Sequence, residues 1–238
     1  MILKALADYY ERMLNDPDCD IAPYGFEDKA IPFLLVLSRD GRFVNIRDTR
    51  TGDGKKKSAR EFRVPLGAKK TSGIKTNILW DNPQYVLGFP KTEGVKDREK
   101  SKKSLEEFKK KIHEIFCDIG DEGIEAILKF YDFLSTSPVL QHSLFSDIKE
   151  ENANITFMLE GETGLIAQRP KVVERIAACF EKNNGKPQVC AVSGVIDEVS
   201  ILHTAIKGVW ERKLREQISS VLTIAPIAPL GALKKIKA

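Results

Sequence analysis

The sequence predicts an α+β fold, with a small antiparallel sheet and packed helices followed by a mostly helical segment. Three observations carry this. Residues 31–46 hold two apolar runs joined by Asp40 and Gly41, a strong hairpin signal. Residues 1–15 place Ile2, Leu3, Leu6, Tyr9, Tyr10 and Met13 on one helical face. Further on, Leu105, Phe108, Ile112, Ile115 and Phe116 recur at helical spacing.

Taken in order, Asn15, Asp16 and Pro17 end the first helix. After the hairpin, residues 51–58 form a charged loop containing glycine, and 61–64 return as a third strand. Asp81, Asn82 and Pro83 read as a turn, and 85–87 as another short strand. Residues 91–104 are rich in lysine and expected at the surface. Gly120 and Gly123 interrupt the helical pattern before a second helix at 124–134, stopped near Pro138. Residues 154–159 suit a strand. Pro170 opens a helix whose buried face is Val172, Val173, Ile176 and Phe180. A turn at 183–187 precedes a strand at 188–192. The expected organisation is an α+β nucleic-acid-recognition region at 1–90, a helical and mixed continuation at 91–209, and a tail of low expected order at 210–238.

Net charge is +4, too mild to name a partner. Its distribution says more. Between residues 39 and 75 the cations are Arg39, Arg42, Arg47, Arg50, Lys55, Lys56, Lys57, Arg60, Arg63, Lys69, Lys70 and Lys75, against Asp40, Asp48, Asp53 and Glu61. Such an excess concentrates positive potential, and lysines that neutralise phosphates release counterions. A solvated loop accounts for charge alone equally well. Within the run, Lys69, Lys70, Thr71, Ser72, Gly73 and Asn77 combine cations, hydroxyls, an amide and a glycine that lets the backbone approach a ligand. In this reading the lysines screen phosphates, while Thr71, Ser72 and Asn77 bond phosphate or base edges. Arg60 and Arg63 are secondary candidates for backbone contacts. Trp80 and Tyr85 suit base stacking or, more simply, a core beside Leu79 and Leu87.

Nothing assembles into a catalytic arrangement. Asp118, Asp121 and Glu122 cluster acids, which helix-end polarity explains more cheaply than a metal-dependent nuclease. His113, His142 and His203 lie far apart, and Cys19, Cys117, Cys179 and Cys190 have no metal-ligand spacing. No cofactor and no metal are expected. The cysteines read as reduced thiols, and the start has no signal-peptide character. No apolar run spans a membrane, so a cytoplasmic location is expected.

Several separated segments, in order from residue 1 to 209, resemble the large subunit of the type I-C CRISPR-associated Cascade complex. They are residues 1–12, 21–26 and 31–33; Val64 and Pro65 through Lys70, Thr71, Ser72 and Gly73; Trp80, Asp81 and Asn82 through Tyr85, Val86, Leu87 and Gly88; and later 190–194, His203 and 206–209. The resemblance implies a subunit of a crRNA-guided antiviral surveillance complex. It implies help in recognising the protospacer-adjacent motif in double-stranded target DNA, contact with crRNA-bound Cascade subunits, and docking of a helicase-nuclease. It implies no nuclease activity of its own. A structural or RNA-binding subunit in the same complex is the alternative.

Family members are much longer, and the similarity breaks at Trp210. Shifting the reading frame of back-translated residues 210–222 by two bases recovers a segment like the family's. Residues 210–238 are therefore expected to be frameshifted coding sequence, with the rest of the large subunit missing.

Overall fold

A computed structural model of the 238-residue chain describes residues 2–52, 57–70, 73–92, 94–181, 187–189 and 196–198. The chain divides into two compact units, one of residues 1–24 with 180–238, the other of residues 25–179.

In the first unit, α1 (Ile2–Leu14) forms as its periodicity predicts. It stops at Asn15, whose amide side chain donates back to the Glu11 carbonyl at 2.7 Å. The Tyr10 hydroxyl donates to the Ala22 carbonyl at 3.1 Å and ties the following loop to the helix. Tyr24 meets Phe180 edge to face, with ring centroids 6.4 Å apart. A short ribbon pairs β9 (Pro187–Val189) with β10 (Ile196–Glu198). The predicted turn at 183–187 lies, but for Pro187, outside the described residues. So do Cys190, 190–194, His203, 206–209 and the whole 210–238 tail.

The second unit is built on a four-stranded sheet. The predicted hairpin forms from β2 (Phe33–Leu37) and β3 (Phe43–Asp48), antiparallel. Its turn requires Gly41. The backbone there has φ +82°, and a Cβ would stand 2.4 Å from the Lys129 Cβ and 2.8 Å from the Phe130 nitrogen. On the other side of β2 lies β8 (Ile155–Leu159), parallel to it, and then β7 (Trp80–Asp81), antiparallel to β8. Every residue of β8 is buried, as suits a strand covered on both faces. Phe157 points to one face, where Phe108 of α3 (Val95–Phe116) and Phe130 and Tyr131 of α4 (Glu122–Phe133) surround it at centroid distances of 6.2–6.4 Å. On the opposite face Met158 packs with Ile31, Leu34, Val64, Trp80 and Leu165. Two smaller antiparallel pairs complete the strands, β1 (Phe26–Ala30) with β6 (Glu61–Pro65), and β4 (Arg50–Thr51) with β5 (Ser58–Ala59). Beyond α4, α5 (Phe145–Glu150) and α6 (Pro170–Glu181) follow, the latter burying Val172 and Ile176 completely.

The fold class is as predicted, with local differences. The returning segment at 61–65 pairs with β1, which the sequence did not signal, and not with the hairpin. The expected strand at 85–87 is instead the end of a short helix, α2 (Pro83–Val86). Its cause is local: the Asn82 side chain accepts from the Gln84 N–H at 3.1 Å, and Pro83 fills the first helical position. Helix α3 begins at Val95, well before Leu105, and Ser101 and Ser104 are buried within its lysine-rich half.

Candidate nucleic-acid interface

The basic connection leaves β6 at Pro65 and enters the four-stranded sheet at Trp80. Both ends are fastened. The Leu66 N–H donates to the Gly25 carbonyl at 2.8 Å, and the Gly67 N–H to a Glu27 carboxylate oxygen at 3.0 Å. The Trp80 indole N–H donates to the Pro65 carbonyl at 2.7 Å, so the two ends of the connection are bonded to each other. Trp80 and Tyr85 are both buried, which fits core packing and not base stacking.

At the base of the connection sits Asp81, buried and multiply bonded. Its carboxylate accepts from the Lys70 ammonium at 2.6 and 2.7 Å, from the Asn77 N–H at 3.0 Å and from the Asn82 N–H at 2.9 Å. Lys70 also lies over the Tyr85 ring, 3.9 Å from its centroid. Burial, and then the Asp81 charge, push the Tyr85 hydroxyl above the usual tyrosine range. From α3, Lys111 donates to the Thr76 carbonyl at 2.7 Å. Its burial lowers the ammonium pKa, an effect the Asp81 charge opposes. The chain reverses through Leu79, which takes a positive φ of 60° while its carbonyl accepts from the Thr156 hydroxyl at 2.9 Å.

This geometry separates the predicted site residues. Lys69, Gly73 and Lys75 are exposed, and Gly73 has φ +71° with open space where a Cβ would point. Thr71 and Ser72 lie outside the described residues. Lys70 is held by Asp81, with 31% of its side chain exposed. Asn77 is buried, its side-chain oxygen accepting from the Ala68 N–H at 2.9 Å. Both shape the loop from inside. Arg63 pairs with Asp28 at 3.1 Å across the β1–β6 ribbon, and Arg60 lies over Phe62 at 5.1 Å. Asp81, Lys111 and Glu27, which organise the loop, carried no sequence signal of that role; Asp81 read simply as part of a turn.

Beside the loop, a groove of about 310 Å³ runs against α3. Lys75, Lys110 and Lys111 line it together with Glu107 and Glu114, so its charge is mixed. On the crest of the loop Lys69 and Lys75 are exposed, as are Arg47, Lys57 and Arg60 elsewhere in the run. Elsewhere in the basic run, Arg39 pairs with Glu122, Arg42 with Asp40, and Arg50 with Asp48, Asp147 and Glu151. Arg50 is almost wholly covered and stacks 4.4 Å from the Phe33 ring centroid.

The clustered acids have structural roles. Asp121 caps α4, accepting from the Gly123 and Ile124 N–H groups at 2.9 and 3.2 Å, and pairs with Arg169 at 2.9 Å. Asp118 pairs with Arg175 at 2.9 Å. Among the described residues no group of three or more His, Cys, Asp or Glu side chains could hold a metal ion. No described helix is long and apolar enough to cross a membrane.

Comparison with protein families matches residues 6–221 to the family described as CRISPR-associated protein (Cas_Csd1). No curated protein matches the chain. The family match covers most of the sequence and runs beyond Val209: the chain belongs to the Cas_Csd1 family of CRISPR-associated proteins.

Proposed function

We propose that this CRISPR-associated protein is the N-terminal portion of the large subunit of a type I-C Cascade complex. In that role it grips target double-stranded DNA and helps recognise the protospacer-adjacent motif, without performing a reaction. Its partners are crRNA-bound subunits and, through the complete complex, a helicase-nuclease. The observation that carries the reading is the loop at 66–79. Its base is fixed by Asp81, and its crest presents Lys69 and Lys75 on either side of an unobstructed Gly73. Cations on a pinned loop with open backbone suit phosphate contact, which positions a protein on a duplex. Lys70 and Asn77 are positioning residues in this scheme.

The test is the salt dependence of duplex binding by the full chain. A Lys69→Gln, Lys75→Gln double variant is expected to bind more weakly, with the slope of log affinity against log salt shallower by ~1 per lysine. An unchanged slope contradicts the assignment. A competition arm with guide-like RNA separates this from an RNA-facing role: duplex bearing the motif must compete better than the RNA. For residues 210–238 we propose frameshifted coding sequence, against which the family match to residue 221 counts; reading the nucleotides across Val209 and Trp210 decides it.

A further inference from the structure

Between α2 and α3 the chain walls a second concavity, of about 670 Å³. That volume is in the range of small-molecule sites. Its floor is apolar, formed by Gly88, Phe89 and Pro90. Four cations line it: Lys91, Arg98, Lys102 and Lys149. Among the described residues lining it there is no acid. The nearby Asp97 carboxylate accepts from the Thr92 hydroxyl.

The site is built from fixed parts. Gly88 has φ +67°, and a Cβ there would stand 2.9 Å from the Leu105 Cδ2, so the backbone runs tight against α3. Phe89 is locked edge-on against the buried Phe145, with centroids 5.0 Å apart. Lys149 comes from α5, its ammonium 5.1 Å from the Phe89 centroid. Arg98 and Lys102 are four residues apart on α3 and so share one face. Cations from three separate stretches of chain therefore meet over one aromatic floor.

We propose that this site holds a nucleoside phosphate, with its base on Phe89 and Pro90 and its phosphate oxygens among Lys91, Arg98, Lys102 and Lys149. An apolar floor under a cationic rim matches a ligand with a flat body and an anionic tail. The same chemistry belongs to a free nucleotide and to the phosphorylated end of a nucleic-acid strand. The inference does not depend on the loop at 66–79.

Calorimetric titration of the full chain tests it, with four probes: ATP, adenosine, inorganic triphosphate and a 5′-phosphorylated thymidine dinucleotide. Saturable binding is expected for ATP or the dinucleotide, with adenosine weaker by ~10-fold or more because it offers no charge to the rim. Lys91→Gln with Lys102→Gln, both exposed, should weaken that binding by ~10-fold or more. Phe89→Leu should weaken ATP several-fold while leaving inorganic triphosphate unchanged. The Lys69→Gln, Lys75→Gln variant should bind ATP as the wild type does. Tighter binding of ATP assigns the site to free nucleotides, and tighter binding of the dinucleotide assigns it to strand ends. Two results overturn the proposal: no saturable binding of either probe at millimolar concentration, or equal loss in the loop variant, which would mean diffuse charge attraction.

Discussion

Lys69 and Lys70 are adjacent and identical in type, yet the fold gives them different work. Lys69 is exposed, while Lys70 neutralises a buried carboxylate and caps an aromatic ring. No local spacing reveals this, because Asp81 lies across a loop whose closure depends on Trp80 bonding to Pro65. Removing Lys70 strands a buried charge, which costs more than the pair itself contributes. Lys70→Met should therefore destabilise the chain by ~2 kcal/mol, a figure reduced from the fully buried case because Lys70 is partly exposed. Lys75→Met should lie within ~0.5 kcal/mol of wild type. Urea unfolding of both variants checks the contrast, and equal stability of the two would remove Asp81 from its organising role. Asn77 teaches the same lesson: its amide, read as a ligand for phosphate, bonds the Ala68 N–H inside the loop.

Elements were legible where their cause is local. The hairpin around Asp40 and Gly41 and the end of α1 at Asn15 form as their residues require. The Asn82 and Pro83 pair carried two meanings, turn and helix start; the side-chain cap on Gln84 decides for the helix. Pairings between distant segments were not legible. Nothing near 155–159 says that this strand will lie parallel to β2, since its register is set by burial on both faces. The hairpin turn also carries the packing of α4, through the close approach of Gly41 to Lys129 and Phe130. Gly41→Ala combines a strained φ with a clash against backbone, and should cost ~3 kcal/mol or more by urea denaturation. A loss below ~1 kcal/mol, within reach of a surface substitution, would mean the turn and α4 are not tightly coupled.

For the second unit as a whole, the basic run predicted from composition overstates the available charge. Acids distant in sequence, Asp28, Asp81, Glu122, Asp147 and Glu151, fold back onto its arginines and onto Lys70. Exposed cations stand on the crest at Lys69 and Lys75 and beside Phe89 at Lys91 and Lys102, and Arg47, Lys57 and Arg60 of the run are exposed as well. Local composition shows where cations are dense, and the tertiary ion pairs show which of them are held by distant acids. The most direct measurement is lysine acetylation of the full chain, followed by mass spectrometry, with and without duplex DNA carrying the motif. Lys69 and Lys75, both exposed, should be acetylated in the absence of duplex and protected by it, while Lys70 stays slow in both states because Asp81 holds its ammonium. Equal labelling of Lys69 and Lys75 with and without bound duplex would contradict the account.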